Sequence, residues 1–419
     1  MLKRRASLAI IVLLLVFSIL HLGFSPAEIE RQVVGTSMLG GWAFLLMSCS
    51  IFLSTRLRFL EPFFGGLDRM YQVHKFCGIF AMLLILAHFF LIPKELPEGI
   101  DPIANALVPS APLGMLSMIL LILALAITLN RKIPYHRWRN PHKLMGLVYL
   151  LGTGHFITAP AVFFERFSPS GIMLIIAAVI GTLSLLYSLF GMNRKTAKRY
   201  VIEKVNALER ATELVLNPLE QPLEFRPGQF AFVEVQGKGW REPHPFTISS
   251  APADEKLRFT LKVLGDWTRK VREEIETGAE VLVRGPYGCF DTSKARSKQV
   301  WFAGGIGVTP FLSMVRAMQP DDVREVTLVY AVREKDEALF LDELLAKAAE
   351  MTNFRLVLLQ SNEGEFARVD KMKENLSEPL SEYGYFLCGP KPMINGLTRD
   401  MRKAGVSRDA IHTEAFEFR

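Results

Sequence analysis

Four histidines lie inside long apolar stretches in the first half of the chain, in two pairs of nearly equal spacing. His74 and His88 are fourteen residues apart, and His142 and His155 are thirteen apart. Fourteen residues advance an α-helix by about 21 Å and return to nearly the same face. Neutral imidazole is a suitable axial ligand for haem iron, and ionisable groups at membrane depth are rare and usually functional. The spacing therefore predicts two bis-histidine haems, with His74 opposite His142 and His88 opposite His155.

The thirteen-residue interval fits an ideal helix less well, because it rotates the second imidazole by roughly 140° from the first. Gly146, Gly152 and Gly154 lie in this interval and could permit a distortion or a close approach of haem. The alternative for each histidine is a buried polar side chain that bonds to a neighbouring helix. That ordinary role is expected for the histidines at predicted helix ends, in loops or near the C-terminus, which are His21, His136 and His412.

Six apolar runs of membrane-spanning length in residues 1–195 must hold the paired histidines. These runs lie near residues 8–24, 36–54, 74–92, 113–130, 142–160 and 171–191. Basic residues gather in alternate loops, and the positive-inside rule therefore puts both termini in the cytoplasm. The first run also resembles a secretory signal peptide, because three basic residues precede it. We expect it to be retained as a helix.

The composition agrees with a membrane protein of several domains. Half of the 419 residues are hydrophobic. The four cysteines form no CxxC pair, which argues against a zinc or iron–sulfur site and for a reducing compartment. The net charge of +7 could indicate nucleic-acid binding. The basic residues flank apolar runs, however, so membrane topology accounts for them and no nucleic-acid partner is expected.

The pattern of the second half of the chain predicts two soluble domains. Short alternating runs such as 230–235 and 257–263, separated by turn signals, predict a small antiparallel β-barrel over residues 196–296. Over residues 297–419, apolar strands near 300–303, 326–330, 354–359 and 385–387 alternate with helix-like stretches. This alternation predicts a parallel nucleotide-binding sheet of the α/β class.

Two segments of the predicted barrel are suited to a flavin. His244-Pro-Phe-Thr-Ile-Ser249 ends a strand and offers an apolar, partly rigid platform with hydroxyl groups, which suits a flat isoalloxazine. Gly265-Asp-Trp-Thr268 could present a helix N-terminus and a hydroxyl to a pyrophosphate. Taken alone, a stretch such as 244–249 is more often an ordinary strand.

Two loops of the predicted parallel sheet are suited to a nicotinamide nucleotide. Ala303-Gly-Gly-Ile-Gly-Val-Thr-Pro-Phe311 follows an apolar strand and opens a helix, so its glycines let a pyrophosphate approach the helix N-terminus. Cys388-Gly-Pro390 follows a later strand at the same carboxyl edge, where ligands of such sheets bind. For Cys388 the alternative is a buried structural thiol.

The order of these motifs resembles the ferredoxin–NADP reductase superfamily. With the paired histidines in front, the chain resembles the ferric reductase/NADPH oxidase superfamily over about residues 36–419, and most of all the compact prokaryotic NADPH oxidases. The resemblance implies a six-helix transmembrane di-haem bundle over residues 1–195, then an FAD-binding antiparallel β-barrel domain over 196–296. An NAD(P)H-binding α/β domain over 297–419 follows.

The resemblance also implies roles for matching residues. His244, Pro245, Phe246, Thr247 and Ser249 belong to the flavin strand, with Thr247 near the reactive edge. Gly265 and Thr268 hold the FAD pyrophosphate. The nucleotide-binding positions are Gly304, Gly305, Gly307, Thr309, Cys388, Gly389 and Pro390, with Cys388 beside the nicotinamide. Phe416 matches the aromatic residue that covers the flavin and yields to nicotinamide. Arg333 is placed to pair with a 2′-phosphate, which favours NADPH over NADH; an exposed arginine without a ligand is the alternative.

The implied activity is electron transfer from cytosolic NADPH, or NADH, through FAD and two b-type haems to an acceptor outside the cytoplasm. The expected location is the inner (plasma) membrane, with the reductase domains cytoplasmic and no obligatory protein partner evident. Oxygen, reduced to superoxide, is the first acceptor considered; a ferric chelate and a membrane or periplasmic partner protein are the alternatives. Animal oxidases of this superfamily carry a further histidine where Ile92 stands, so a dedicated oxygen pocket is in doubt. Arg31 could supply positive charge near the outer haem, the one expected between His88 and His155.

Overall fold

The computed structural model describes residues 4–25, 31–93, 110–130, 135–161, 164–237, 239–240, 242–292, 295–373 and 376–414. The chain divides into two compact units, Met1–Lys195 and Thr196–Arg419. The first is built of apolar helices and the second of two sheets with short helices, and each is described by itself.

Helices make up the first unit. They are α1 (Arg4–Phe24), α2 (Arg31–Ser54), a short α3 (Glu61–Phe64), α4 (Leu67–Leu91), α5 (Ser110–Leu129), α6 (Tyr135–His142), α7 (Met145–Thr158) and α8 (Pro169–Leu189). Within the described residues, five of them (α1, α2, α4, α5 and α8) are long and apolar enough to cross a membrane. Large apolar side chains such as Ile19, Phe90 and Leu183 point outward and are exposed. This is the surface expected of helices that face lipid.

The segment predicted as the fifth span is divided into two helices. Helix α6 ends at His142, one residue after Pro141, and α7 starts at Met145 and has 14 residues. Pro141 lies in the last turn of α6 and removes one N–H donor from its helix ladder, which weakens the end of that helix. The distortion therefore lies before Gly146, Gly152 and Gly154 rather than at them. A helix of this length spans about 21 Å, less than the roughly 30 Å hydrocarbon core.

Helix α1 packs into the first unit through two aromatic residues. The Phe17 ring is fully buried, and a Cβ atom built on Gly41 of α2 would lie 2.2 Å from its Cζ. His21 stacks on Phe17, and its Nε2 lies 2.9 Å from the Ser37 hydroxyl of α2. Its Nδ1 lies 3.3 Å from the Ser170 hydroxyl of α8. His21 thus joins three helices, which is the ordinary structural role expected of it.

Six antiparallel strands form the barrel of the second unit. They are β1 (Lys198–Ala207), β2 (Ala211–Pro218), β3 (Phe230–Val235), β4 (His244–Thr247), β5 (Leu257–Lys262) and β6 (Glu280–Tyr287), in the order β4-β3-β6-β1-β2-β5. A bridge between Ile248 and Phe259 brings the two edge strands together, so the barrel is nearly closed. Helix α9 (Asp266–Glu274) follows β5. The predicted barrel is confirmed.

A five-stranded parallel sheet completes the second unit. Its strands are β7 (Lys298–Gly304), β8 (Glu325–Val332), β9 (Phe354–Gln360), β10 (Gly384–Cys388) and β11 (Ile411–Glu414), in the order β11-β10-β7-β8-β9. Its helices are α10 (Thr309–Ala317), α11 (Leu341–Glu350), α12 (Val369–Lys373) and α13 (Lys391–Lys403). Apolar clusters cover both faces of the sheet. The predicted parallel sheet is confirmed with its four strands, and the structure adds β11.

We expect Gly41→Ala to destabilise the first unit, because the new methyl group would overlap the Phe17 ring. Overpacking of this kind costs typically about 1–3 kcal/mol. The thermal midpoint of the detergent-solubilised protein should fall by several degrees. Gly35→Ala on the same helix is the control, since nothing lies within 4 Å of its Cβ position. Equal midpoints for the two variants would contradict the packing of α1 on α2.

Candidate functional site

The structure brings the four paired histidines together as two facing pairs. His74 of α4 and His142 of α6 have ring centroids 6.0 Å apart and ring planes 66° apart. His88 of α4 and His155 of α7 have centroids 6.2 Å apart and planes 70° apart. The break between His142 and Met145 lets His142 and His155 face the same neighbouring helix despite their thirteen-residue spacing. These are the pairs that the spacing predicts.

Each of these imidazoles is oriented by an oxygen atom on an adjacent helix. For three of them the Nδ1 atom lies within hydrogen-bonding distance of a backbone carbonyl: His74 at 2.8 Å from Ser50, His88 at 2.7 Å from Thr36 and His155 at 2.8 Å from Ser110. Because a carbonyl oxygen only accepts, Nδ1 carries the proton and Nε2 keeps its lone pair. This is the usual arrangement behind a metal-bound histidine.

His142 is oriented differently from the other three histidines. Its Nδ1 lies 3.2 Å from the hydroxyl of Thr128, near the end of α5, rather than beside a carbonyl. The indole of Trp138, one turn earlier on α6, stacks on it with centroids 4.7 Å apart. The sequence reading did not identify Thr128, Ser50, Thr36 or Ser110. In the sequence each is only a hydroxyl-bearing residue within an apolar run. Many apolar helices contain such residues, so the sequence does not mark these four as partners of the histidines.

The geometry of both pairs fits an axially bound haem. Imidazole nitrogens coordinate first-row metal ions at about 2 Å, so two axial imidazoles place their ring centres roughly 6 Å apart. Among the described residues, no group of three or more His, Cys, Asp or Glu side chains is placed to hold a metal ion. A metal between two imidazoles would therefore take its other ligands from elsewhere, as iron does in a porphyrin.

Small residues border the His88–His155 pair and leave room beside the His74–His142 pair. A Cβ atom on Gly40 of α2 would lie 3.3 Å from the His88 ring, and one on Gly114 of α5 would lie 2.8 Å from Nδ1 of His155. At Gly78, one turn beyond His74, a Cβ atom would meet no atom within 4 Å. The two glycines beside the His88–His155 pair allow close helix approach, and Gly78 leaves open space that a flat ligand could use.

The proposed flavin strand is β4, which pairs with β3 inside the barrel. The Thr247 hydroxyl is buried and has no hydrogen-bond partner among the described residues. Buried hydroxyls are usually satisfied, so this one is suited to a ligand atom. Trp267 lies against both His244 and Phe246, with ring centroids 4.2 and 5.6 Å away. These three rings form an aromatic cluster on β4 and α9.

The proposed pyrophosphate segment caps helix α9. The Thr268 hydroxyl accepts hydrogen bonds from the backbone N–H groups of Leu264, at 3.0 Å, and Gly265, at 3.1 Å. A Cβ atom on Gly265 would meet nothing within 4 Å, so the space in front of this residue is open. Thr268 therefore shapes the start of the helix through its cap, and a ligand at this end would meet Gly265 first.

The two proposed nucleotide loops touch at the carboxyl edge of the parallel sheet. Gly304 ends β7, and Gly305–Val308 form one 3-10 turn before Thr309 opens α10. A Cβ atom on Gly307 would lie 2.3 Å from the Cys388 carbonyl, and one on Gly304 would lie 2.7 Å from the Pro390 ring. The glycines are thus required for the contact between the loops.

Cys388 ends β10, and its side chain is fully buried. Burial raises the pKa of the Cys388 thiol well above its ordinary value, and nearby Glu414 acts in the same direction. The group is therefore a neutral thiol at neutral pH and not a nucleophilic thiolate. Strand β11 ends beside it, with Glu414 opposite Cys388. The predicted flavin-covering residue, Phe416, lies outside the described residues.

Arg333 follows strand β8 directly, and its side chain is exposed. Its carbonyl accepts a hydrogen bond from the Asn362 backbone at 3.0 Å, which fixes the loop. Next to it Glu334 and Glu337 are both paired with Arg210 of the barrel. The single charge of Arg210 offsets one of the two negative charges beside Arg333. The arginine is thus available to an anionic ligand at the edge of the sheet.

Three family models match the chain in sequence. They are "Ferric reductase like transmembrane component" over residues 39–153, "FAD-binding domain" over 199–291 and "Oxidoreductase NAD-binding domain" over 302–399. The chain therefore has the domain architecture of ferric reductases and NADPH oxidases, and it is an NAD(P)H-dependent oxidoreductase with a membrane component. The predicted assignment to this architecture is confirmed.

The similar curated proteins match about half of the chain. A flavohemoprotein of Rhizobium meliloti is 25% identical over 245 residues, which cover 52% of this chain and 60% of that protein. The ferredoxin–NAD(P)(+) reductase component of naphthalene 1,2-dioxygenase/salicylate 5-hydroxylase systems of a Ralstonia species is 26% identical, covering 52% and 69%. The chain thus spans about three fifths of the flavohemoprotein. A solved flavohemoglobin structure from Malassezia yamatoensis matches 93% of this chain and 100% of its own at 18% identity and a TM-score of 0.50, a likeness of fold alone.

We expect Gly114→Ala to displace His155, because the new methyl group would lie 2.8 Å from its Nδ1 atom. If the His88–His155 pair holds a haem, the haem-to-flavin ratio of the purified protein should fall from two toward one. Gly23→Ala, whose Cβ would meet nothing within 4 Å, is the control. An unchanged ratio in Gly114→Ala would contradict a haem at this pair.

Proposed function

We propose that this oxidoreductase carries electrons from cytosolic NADPH across the membrane, by way of FAD and two b-type haems, to oxygen on the far side. The single observation that carries the proposal is the geometry of the two histidine pairs, at 6.0 and 6.2 Å between ring centres. Helix α4 contributes one histidine to each pair, at two depths. Two metal sites on one helix, one above the other, suit a path through the bilayer.

The proposed cofactors would supply the redox chemistry, which is hydride acceptance at FAD and one-electron transfer at haem. The protein supplies orientation. We assign Thr247 to a hydrogen bond at the edge of the flavin, and Pro245 and Phe246 to contacts with the isoalloxazine ring. The further flavin positions are His244, Ser249, Gly265 and Thr268. The nicotinamide nucleotide is assigned to Gly304, Gly305, Gly307, Thr309, Cys388, Gly389 and Pro390.

We place the chain in the inner (plasma) membrane as a six-segment bundle, with the broken α6–α7 segment as the fifth. The basic residues of alternate loops support cytoplasmic termini and a cytoplasmic reductase half, proposed as residues 196–296 and 297–419. Outward electron movement works against a negative-inside potential, at roughly 2.3 kcal/mol per 100 mV. The nicotinamide–acceptor potential difference must exceed this opposing term.

A ferric chelate is the second candidate acceptor, and a specific residue favours it. Ile92, at the end of α4 beyond His88, stands where the animal oxidases carry a further histidine, and its side chain is 40% exposed. A polar pocket for oxygen would therefore lack one imidazole in this chain. Arg31, at the first residue of α2, is exposed and could attract either an anionic chelate or superoxide. Transfer to a partner protein is the third possibility.

One assay separates the acceptors. The purified protein is supplied with NADPH and scored in parallel for superoxide dismutase-sensitive cytochrome c reduction and for ferrozine-detected ferrous iron. We expect NADPH-dependent superoxide to account for most of the electrons consumed. Iron reduction that persists without oxygen, with little superoxide in air, would assign the chain to ferric-chelate reduction. Failure of both reactions, with haem still reduced by NADPH, would leave transfer to a protein partner.

We expect Arg333→Ala to raise the KM for NADPH about tenfold while leaving that for NADH nearly unchanged. A charge-assisted hydrogen bond to a phosphate contributes about 1.5–3 kcal/mol, and 1.4 kcal/mol is a factor of ten. Steady-state kinetics with both nucleotides measure the two constants. Arg399→Ala removes another exposed arginine, which pairs with Asp400 on α13, and serves as the control. An equal rise in the KM for NADPH and the KM for NADH would show that Arg333 does not bind the 2′-phosphate.

A further inference from the structure

Arg316, on helix α10, is a nearly buried arginine with partners in both halves of the second unit. Its Nε and Nη2 atoms donate to the two carboxylate oxygens of Glu343 at 2.6 and 2.7 Å. Its Nη1 atom donates to the backbone carbonyl of Ser249 at 2.7 Å. The side chain is only 9% exposed. Two bonds thus hold Arg316 within the nucleotide-binding sheet domain, and the third reaches the barrel.

The carbonyl that Arg316 holds belongs to the segment that leaves the proposed flavin strand. Ser249 lies two residues after Thr247, and both are buried. One turn earlier on α10, the Ser313 hydroxyl donates to the next carbonyl, that of Ser250, at 2.7 Å. Two consecutive carbonyls of the flavin segment are therefore bonded by two side chains of a single helix. We call Arg316, Ser313 and their carbonyl partners the α10 clamp.

The same helix begins at the proposed nicotinamide site. Thr309 is its first residue and follows the glycine turn Gly305–Val308 without an intervening loop. A helix is a stiff element, so a displacement of its middle turn displaces its N-terminus as well. The α10 clamp therefore links the position of the glycine turn to the position of Thr247.

The arginine is itself held in one orientation. The bidentate contact with Glu343 fixes the plane of the guanidinium group and offsets its charge. The Phe340 ring packs on the guanidinium carbon with its centroid 5.1 Å away, and Phe340 adopts a left-handed backbone conformation, φ 56°, at the start of α11. Non-glycine residues rarely take this conformation, which is typical of a position that the surroundings determine.

We propose that Arg316 is a positioning residue for hydride transfer: through the α10 clamp it sets the distance and angle between the nicotinamide loop and the flavin strand. The reaction concerned moves one hydride from the reduced nicotinamide to the flavin, which with one proton from solvent gives reduced flavin and oxidised nicotinamide. A displacement of about 1 Å in such a step can slow it by two orders of magnitude. This inference rests on the proposed use of FAD and NADPH.

The test is anaerobic stopped-flow reduction of the flavin by NADPH in the full-length, FAD-loaded protein. We expect Arg316→Met to slow flavin reduction at saturating NADPH at least tenfold, with normal flavin content. Arg316→Lys should recover part of the rate. Ser313→Ala, which removes the second bond of the clamp, should slow the step about threefold. The slow variants should also show a larger kinetic isotope effect with deuterated NADPH, which a loss of stability alone would not produce.

Arg272→Met is the matched control. Arg272 makes the same kind of bond, from Nη1 to the carbonyls of Leu208 and Ala211 at 2.9 and 3.1 Å, but both partners lie in the barrel. Its rate should stay within twofold of the unmodified protein. Unchanged rates in Arg316→Met and Ser313→Ala, or equal slowing in Arg272→Met, would overturn the inference. Absence of NADPH-dependent flavin reduction in the unmodified protein would instead overturn the proposed function.

Discussion

The hydrogen bond from a histidine Nδ1 to an oxygen on the neighbouring helix is the interaction on which the membrane unit depends. Burying an imidazole among apolar side chains costs free energy unless its nitrogens have partners, so each ring needs one partner for each of its two nitrogens. The carbonyls of Ser50, Thr36 and Ser110 accept a hydrogen bond from the Nδ1 atoms of His74, His88 and His155. The Nε2 atom, on the opposite side of each ring, is left for the facing pair. Because the carbonyls belong to the backbone, no side-chain change removes them directly. The pairs are therefore as rigid as the helices.

The break between His142 and Met145 is the second constraint, because it changes the directions in which His142 and His155 point. On an uninterrupted helix, His142 and His155 would point roughly 140° apart. Ending α6 at His142 and restarting at Met145 lets both face α4. The cost is that His142 loses a carbonyl partner and relies on the Thr128 hydroxyl and the Trp138 stack. The two sites are thus chemically unequal, although α4 presents its histidines to them alike.

The sequence was sufficient where a local pattern determines structure. The barrel, the parallel sheet and the pairing of His74 with His142 follow from alternation, strand–helix order and residue spacing. It was insufficient where contacts between distant residues decide. Strand β11 is short and polar, so no pattern marked it. The break fell between His142 and Met145 rather than at the glycines, next to Pro141, which removes a donor from the end of α6. In the sequence Arg316 resembles an ordinary surface arginine, because its partners Glu343 and Ser249 are distant in the chain.

The central claim is that electrons from NADPH cross the membrane through the two histidine pairs. The most direct measurement uses sealed vesicles with the reductase half outward and a membrane-impermeant acceptor, such as ferricyanide, trapped inside. NADPH added outside should reduce the flavin, then produce the spectrum of two reduced low-spin haems, and then reduce the trapped acceptor. His88→Ala should leave flavin reduction intact and abolish reduction of the trapped acceptor. Reduction of that acceptor at the unmodified rate in the variant would contradict the account.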